Sequence, residues 1–343
     1  MKMKNLFGFF CVFYPTLFVL MITQLHVAPT NVNHVSILGR QKRSHFYFSI
    51  KQTLNISKVE TLMIQDNSTQ SRFNSEEHFL TLFTSFNSTM EKFYIYNNTI
   101  HNWLQMKPKV VLIFFSDNSK LRKYVSSIGW DLTLSVGLKS CNGTPVLKDM
   151  FLTAQQLVNS KLYAYANADI LFNRGFLSTL EGVVNNTTIY RNPILLSGKR
   201  SDLLLNVHKI TNIRGEKEVE RAFKKSHISY GYAEDYFVVN RKFPWKIYPN
   251  LAIGREMVDN YLAFVARKNK VTTIDASGTV GALHQKTKSR VKKPSNCNKK
   301  ILGTLYSRRK IARGNVECFS FETRFDFDSK VFLMKRGQYT TVC

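Results

Sequence analysis

The sequence predicts a mixed α/β domain with a mostly parallel central sheet flanked by helices. Two observations lead to this fold class. Several short runs are continuously apolar, as is typical of strands covered on both faces, and these runs alternate with segments of helical spacing. Hydrophobic residues make up 44% of the 343 residues, which is enough to bury the core of such a domain.

The predicted elements begin at His78. Residues His78–Phe86 are rich in β-formers and predict a buried strand. Apolar residues at helical spacing predict a helix over Tyr94–Leu104. Lys109–Phe115 is an apolar run that ends in a polar loop, which indicates a strand covered on both faces. A short helix is expected over Leu121–Ile128.

The same alternation then repeats. Pro145–Val158 has a helical pattern, and its proline suits a first turn. Lys161–Phe172 is predicted as one strand interrupted by polar groups, followed by a helix over Phe176–Val184 and a strand over Pro193–Ser197. Because parallel sheets bind ligands at the carboxyl ends of their strands, polar residues at those ends are candidates for a site.

Asp117 and the Asn167–Asp169 segment lie at or near such strand ends. A carboxylate such as Asp169 is costly to bury inside an apolar run unless it is paired or bound to a metal. Mg²⁺ and Mn²⁺ favour carboxylate ligands. A role of Asp169 in capping the following turn explains its position equally well.

Further candidates lie downstream. Glu234 and Asp235 directly precede a short apolar strand, where either could act as a general base. Arg255 and Asp259 are four residues apart and would share one face of a helix, for which a structural salt bridge is the simpler explanation. His284 could bind a metal as neutral imidazole, although a lone histidine is more often a surface or capping residue.

The N-terminal segment Leu6–Val27 carries no formal charge and is apolar almost throughout, with Lys2 and Lys4 before it. About 20 such residues can span a membrane as a helix. Its length favours an uncleaved signal anchor over a cleaved signal peptide, whose apolar stretch is shorter. The positive-inside rule does not settle the orientation of this segment, because Arg40 and nearby basic residues lie close to its other end.

Glycosylation sequons and cysteines indicate that the main domain lies in the secretory lumen. Acceptor sequons occur at Asn55, Asn67, Asn87, Asn97, Asn142, Asn185 and Asn186. Outside the apolar segment there are four cysteines, Cys141, Cys297, Cys318 and Cys343, which allow three pairings if all are oxidised. Of these, a bridge between Cys297 and Cys318 is favoured because it would tie down a basic stretch; free buried thiols are the alternative.

The formal net charge of +26 is concentrated near the C-terminus. No acidic residue lies between Asp275 and Glu317. The basic residues in that interval are Lys286, Lys288, Arg290, Lys292, Lys293, Lys299, Lys300, Arg308, Arg309, Lys310 and Arg313. Such a block could attract nucleic acid, phosphate-bearing ligands or acidic glycans, or it could be a solvated basic flap without a specific partner.

An ordered set of segments resembles a branch of the nucleotide-sugar glycosyltransferases with the GT-A fold, which has bacterial and animal members. The matching segments are Phe79–Thr84, Asn98–Trp103, Val111–Asp117, Gly143–Pro145, Ala166–Ile170, Leu196–Asp202, Asp235–Val238, Ala252–Arg255, Asp259–Leu262, Ile274–Ala276 and His284–Gln285. The ordered set is far more specific than any single element.

The resemblance implies a nucleotide-sugar donor bound over the sheet. Asn167–Asp169 stands where such enzymes carry an Asp-x-Asp metal motif, so Asp169 and His284 are the expected ligands of a divalent cation, Mn²⁺ or Mg²⁺. Because Asn167 replaces the first Asp, the cation is expected to be held weakly. Asp117 is expected near the nucleoside, and Asn167 and Arg255 are the other expected donor-binding residues.

The resemblance also implies a carboxylate that deprotonates the acceptor hydroxyl if the reaction inverts the anomeric centre. Asp235 is the first choice for this base and Asp259 the second. The acceptor is expected to be a glycan, glycoprotein or glycolipid.

The expected organisation is therefore that of a single-pass type II protein of the Golgi or endoplasmic reticulum membrane. It has a cytosolic tail (1–4), a signal anchor (5–27), a lumenal stem (28–75), a GT-A-like domain (76–290) and a basic extension (291–343). A catalytically silent GT-A-like domain that binds glycans or a partner protein, and a polyanion-binding protein, are the alternatives. Nucleic acid is not an expected partner in the lumen.

Overall fold

The computed structural model describes residues 73, 75–87, 92–208, 211–231, 233–287, 296–305, 307, 314–337 and 343. The chain divides into two units, 1–58 and 59–343, and every described residue belongs to the second. The expected cytosolic tail, the anchor and nearly all of the stem lie outside the described residues. Among the described helices, none is long and apolar enough to cross a membrane.

The architecture is mixed α/β with a large central sheet. The strands are β1 (His78–Ser85), β2 (Val110–Phe115), β3 (Leu132–Leu134), β4 (Lys139–Ser140), β5 (Thr144–Pro145), β6 (Ser160–Ala166), β7 (Ile170–Phe172), β8 (Ile194–Ser197), β9 (Arg200–Leu204), β10 (His227–Ile228), β11 (Tyr236–Asn240), β12 (Thr272–Asp275), β13 (Ala282–Lys286), β14 (Phe321–Phe325) and β15 (Val331–Lys335). The helices are α1 (Phe93–Leu104), α2 (Ser119–Ser127), α3 (Leu147–Leu157), α4 (Gly175–Asn185), α5 (Thr187–Tyr190), α6 (Leu205–His208), α7 (Glu216–Phe223), α8 (Val258–Lys268) and α9 (Cys297–Leu302). Short 3₁₀ turns cover Trp245–Ile247, Gly303–Leu305 and Val316–Cys318.

The central sheet has nine described strands in the order β15-β14-β12-β8-β11-β6-β1-β2-β3. All neighbours in it are parallel except at β11, which runs antiparallel to both β6 and β8, and at β15, which runs antiparallel to β14. All six residues of β2 are buried, as its continuous apolar run predicts. Helices α3 and α8 pack on one face, and α1 and α4 on the other. This arrangement fits the GT-A-like fold that the resemblance implies.

A second, four-stranded sheet in the order β10-β9-β13-β7 positions the candidate site. The prediction of one strand over Lys161–Phe172 was wrong, because the chain changes sheets at Asn167–Asp169. The amide of Asn167 donates to the Asp235 carbonyl (2.9 Å), and the amide of Ile170 donates to the Asn167 carbonyl (3.1 Å). These two bonds end β6 and close a turn into β7.

The C-terminal region continues the central sheet, because β14 pairs with β12 and β15 pairs with β14. The sheet therefore extends beyond the boundary expected after residue 290.

The expected bridge between Cys297 and Cys318 was also wrong, because the disulfides are Cys141–Cys297 and Cys318–Cys343. The reason is the location of α9. Its Asn298 side chain forms two hydrogen bonds of 2.9 Å with the backbone of Ala252, and this fixes Cys297 beside the β4–β5 hairpin. Cys318 is instead buried in a 3₁₀ turn that precedes β14.

Candidate functional site

The candidate site lies at the carboxyl edge of the central sheet, where β6 ends. Because β11 is antiparallel to β6, the residue before β11, Asp235, is brought opposite Asn167. The edge of the second sheet adds residues of β9 and β13 to the same place, since β13 pairs with β7 and β9. Residues far apart in sequence thus form one cluster of charged side chains.

Asp169 and His284, the two expected metal ligands, are brought together. His284 Nε2 lies 3.4 Å from Asp169 Oδ2. The other carboxylate oxygen of Asp169, Oδ1, is buried and has no hydrogen-bond partner among the described residues. Gln285, the residue after His284, fixes this pair, because its backbone N–H donates to the Asp169 carbonyl (3.0 Å). Its buried side chain is hydrogen-bonded to α1.

On its other side His284 contacts Asp202. His284 Nδ1 lies 2.7 Å from Asp202 Oδ1. The same carboxylate accepts from Arg200 Nε (3.0 Å) and is 3.5 Å from Lys286 Nζ. Asp202 is therefore held by three cationic or donor groups, and the imidazole of His284 lies between two carboxylates.

Asp235, the first-choice base, is enclosed by partners. Its carboxylate is paired with Arg200 and accepts a 2.8 Å hydrogen bond from Asn167 Nδ2. The oxygen of that amide, Asn167 Oδ1, accepts a 2.8 Å hydrogen bond from the Tyr165 hydroxyl. Both ends of the Asn167 side chain are thus engaged within the protein, and Asn167 acts as a link between Tyr165 and Asp235.

The electrostatics of the cluster follow from this geometry. Burial by itself opposes charge on Asp169, but the nearby His284, with a contribution from Arg200, outweighs it and lowers the pKa of the carboxyl. Burial likewise opposes charge on His284. Its two carboxylate neighbours, Asp169 and Asp202, prevail and raise the pKa of the imidazole to about 10. The cluster therefore carries His284 as an imidazolium at neutral pH.

Asp259, the second-choice base, lies in the first turn of α8. Burial, with the repulsion of Asp235, raises the pKa of its carboxyl to about 7. The neighbouring Glu234 is 1% exposed, and burial together with the charges of Asp259 and Asp275 raises the pKa of that carboxyl well above its usual range. The residue before α8, Met257, has φ +76°, an uncommon conformation for a long side chain and one that concentrates at functional sites.

Asp117 and Arg255 lie at a different corner of the same edge, around the β4–β5 hairpin. Asp117 follows β2 and is paired with Lys139 of the hairpin (2.6 Å). Arg255 donates to Thr144 Oγ1 of the same hairpin (3.1 Å). No ion pair joins Arg255 to Asp259 among the described residues, because Arg255 precedes α8 and does not share its face. β2 lies two strands from β6, a separation of about 10 Å at ordinary strand spacing.

Arg200 and Asp202 belong to this charged cluster, and sequence reasoning missed them. The sequence signal that could have identified them is their spacing, because residues two apart in a strand such as β9 lie on the same face. Both fall in the Leu196–Asp202 segment, for which the resemblance implies no particular role. Their place in the cluster depends on a strand that pairs with β9 much later in the chain, since Asp202 and His284 are 82 residues apart.

The described residues offer two side chains for a metal. Among them no group of three or more His, Cys, Asp or Glu residues could hold an ion. Asp169 and His284 nevertheless fit a divalent cation, because Asp169 Oδ1 is a buried oxygen without a partner and carboxylate and imidazole are common metal ligands. With only two protein ligands, such a cation would need further oxygens from substrate and water, as is usual for Mg²⁺.

Comparisons with known proteins give limited similarity. No family model matches the chain, and no curated protein matches it. Among solved structures it is similar to S. aureus TarS 1–349 in complex with UDP-GlcNAc, with a TM-score of 0.28, 12% identity and coverage of 36% of this chain and 35% of that chain. A second structure of S. aureus TarS 1–349 gives a TM-score of 0.27, 12% identity and 36% coverage of each chain. The match spans about a third of the TarS 1–349 chain, and similarity at this level carries no argument about function.

Proposed function

We propose that the protein is a nucleotide-sugar glycosyltransferase that uses a divalent cation held by Asp169 and His284. The observation that carries the proposal is this pair at the carboxyl edge of a mostly parallel sheet, with Asp169 Oδ1 buried and unpartnered. When bound, the cation would neutralise charge on the departing diphosphate. Asn167 is not among its proposed ligands, because its oxygen already accepts from Tyr165.

For the acceptor-activating base, the geometry favours Asp259 over Asp235. Asp235 is paired with Arg200 and accepts from Asn167, so its lone pairs are largely engaged. A carboxyl with a pKa of about 7 is suited to take a proton at neutral pH, because a general base works best when its pKa lies near the working pH. In this proposal Asp235 keeps Arg200 in place and raises the basicity of Asp259 through its charge.

The donor is proposed to extend from the Asp169–His284 pair towards the β4–β5 hairpin. Asp117 would lie near its nucleoside, and Arg255, whose guanidinium is fixed by Thr144, would contact its phosphates. The hairpin is tied to α9 by the Cys141–Cys297 disulfide, which makes it a firm support for ligand contacts.

We further propose a type II membrane topology, with this domain in the lumen of the Golgi or endoplasmic reticulum. Two disulfides support an oxidising compartment. The exposed sequon residues Asn142 and Asn185 are positioned for glycosylation there. The acceptor would then be a glycan, glycoprotein or glycolipid of the secretory pathway.

A catalytically silent domain that binds glycans is the second candidate. It is favoured by the closed chain of contacts Tyr165–Asn167–Asp235, which occupies the position where the family motif has its first Asp.

Donor binding separates the two candidates. The full-length protein is titrated by calorimetry with UDP-GlcNAc and with other uridine, guanosine and cytidine diphosphate sugars, in Mn²⁺ and in chelator. We expect one donor to bind only when Mn²⁺ is present. This binding should be lost in the Asp169→Asn and His284→Ala variants. Asp131→Asn serves as control, because Asp131 is a partly buried carboxylate paired with Lys107 outside the cluster. Absence of any donor binding to a folded wild type would favour the silent domain.

A further inference from the structure

We propose that Asp202 is a positioning residue that orients His284 for the metal; this inference rests on the proposed function. Strands β9 and β13 are parallel neighbours, and their register places Asp202 directly beside His284. The contact is short, with 2.7 Å between Asp202 Oδ1 and His284 Nδ1. Because a carboxylate accepts and does not donate, this contact keeps a proton on Nδ1.

The consequence concerns the other ring nitrogen. A neutral imidazole has one protonated and one free nitrogen, and a metal binds the free one. In the neutral, metal-binding form of His284, Asp202 holds the proton on Nδ1, so the free nitrogen is Nε2, the atom that faces Asp169. A carboxylate behind a ligating histidine is a common arrangement in metal sites, where it fixes the tautomer and the ring orientation.

Asp202 is itself held in position. Arg200 Nε donates to it from the same strand at 3.0 Å, and Lys286 Nζ lies 3.5 Å from its second oxygen. Arg200 also contacts Asp235 Oδ2 through Nη1. Strand β9 therefore connects the metal-binding side of the cluster with Asp235, and the Arg200–Asp202 pair gives a role to the Leu196–Asp202 segment of the sequence.

The test compares Asp202→Asn and Asp202→Ala with wild type in the full-length protein. Mn²⁺ affinity is measured by calorimetry, without substrate. Loss of the carboxylate behind a metal-bound histidine typically costs about 10- to 100-fold in metal affinity. We expect Asp202→Ala to show a loss of this size and Asp202→Asn a smaller one, since an amide oxygen still accepts from Nδ1–H. Asp131→Asn is the control and should bind Mn²⁺ as wild type does.

A spectroscopic measurement distinguishes positioning from general damage. In protein with ¹⁵N-labelled histidine and loaded with diamagnetic Zn²⁺, the His284 signals, assigned by their absence in His284→Gln, should show a proton on Nδ1 and metal on Nε2. In Asp202→Ala the tautomers should mix. If Asp202→Ala binds Mn²⁺ as tightly as wild type and its His284 tautomer is unchanged, the role of Asp202 is overturned, while the metal proposal stands. Absence of Mn²⁺ binding by folded wild type would overturn the metal proposal on which it rests.

Discussion

The raised pKa of Asp259 makes a prediction about stability that needs no substrate. The carboxyl has a pKa of about 7 in the folded protein, against 3.8 for the ordinary group, and burial is the main cause. Between these two values the unfolded chain has lost the proton that the folded protein retains. The folded state is therefore penalised as the pH rises from about 4 to about 7. The penalty is absent at lower pH and constant at higher pH.

The size of the effect follows from the two pKa values. A difference of about 3 pKa units corresponds to about 4 kcal/mol of unfolding free energy at pH 8, where the penalty is complete. At pH 5 only about 1.6 kcal/mol of it has developed. Asp259→Asn removes the ionisation and keeps the shape. We expect it to stabilise the protein, by about 2.5 kcal/mol more at pH 8 than at pH 5.

The assay is urea-induced unfolding of wild type and Asp259→Asn at pH 5, 6, 7 and 8. Asp117→Asn is a control of opposite sign. Burial acts against charge on Asp117, but Lys139 and a backbone amide prevail and lower the pKa of its carboxyl. That carboxyl stabilises the fold above its unfolded pKa, so the control should lose stability at high pH and not at low pH. A stability difference for Asp259→Asn that stays constant from pH 5 to pH 8 would refute the raised pKa.

Three further predictions test the fold and its compartment. Replacing Cys141 and Cys297 by serine opens a bridge that spans 156 residues and should lower the unfolding free energy by about 2–5 kcal/mol in urea. Gln285→Leu leaves the buried partners of the Gln285 side chain on α1 unpaired, so it should lower the unfolding free energy in urea by about 1–3 kcal/mol. If the Gln285 side chain were exposed and unpaired, the same substitution would change the unfolding free energy little. In a secretory host, peptide mass spectrometry should find glycan on Asn142, which is exposed at a hairpin, and not on Asn97, which lies in α1 and accepts from Tyr124.

Much of the fold could be predicted from local pattern, and the exceptions have a common cause. Strands β1, β2 and β8 and helices α1, α3 and α4 lie within a few residues of their predicted positions. The apolar run Lys161–Phe172 was predicted as one strand because periodicity does not show where a chain changes sheets. That change depends on Asp235, whose carbonyl accepts from the Asn167 amide. The disulfide pairing was likewise decided by a contact between distant segments, that of Asn298 with Ala252.

In the candidate site too, local sequence pattern predicts some residues, and contacts between distant segments decide the rest. Asp169 stands out in the sequence because a carboxylate inside an apolar run requires a partner, and His284 because imidazole is a metal ligand. Their proximity could not be predicted from spacing. Arg200 was not predicted, because a charged residue in a short strand is usually solvated, and only the structure shows it between Asp235 and Asp202. The preference for Asp259 over Asp235 likewise follows from partners that only the fold assembles.

The two carboxylates around His284 predict how metal binding should depend on pH. Burial favours the neutral ring, but Asp169 and Asp202 prevail and raise its pKa to about 10, so a cation must displace a proton from Nε2 at neutral pH. One displaced proton makes the apparent Mn²⁺ affinity rise about tenfold per pH unit between pH 6.5 and 8.5. Calorimetry in buffers of different ionisation enthalpy should count about one proton released per Mn²⁺ bound. The matched variant His284→Gln keeps a polar side chain without a titrating proton, so its weaker binding should not depend on pH in this range. If Mn²⁺ binds wild type with no proton release and no pH dependence, His284 is not a ligand, and the cation is held by Asp169 and groups outside this cluster.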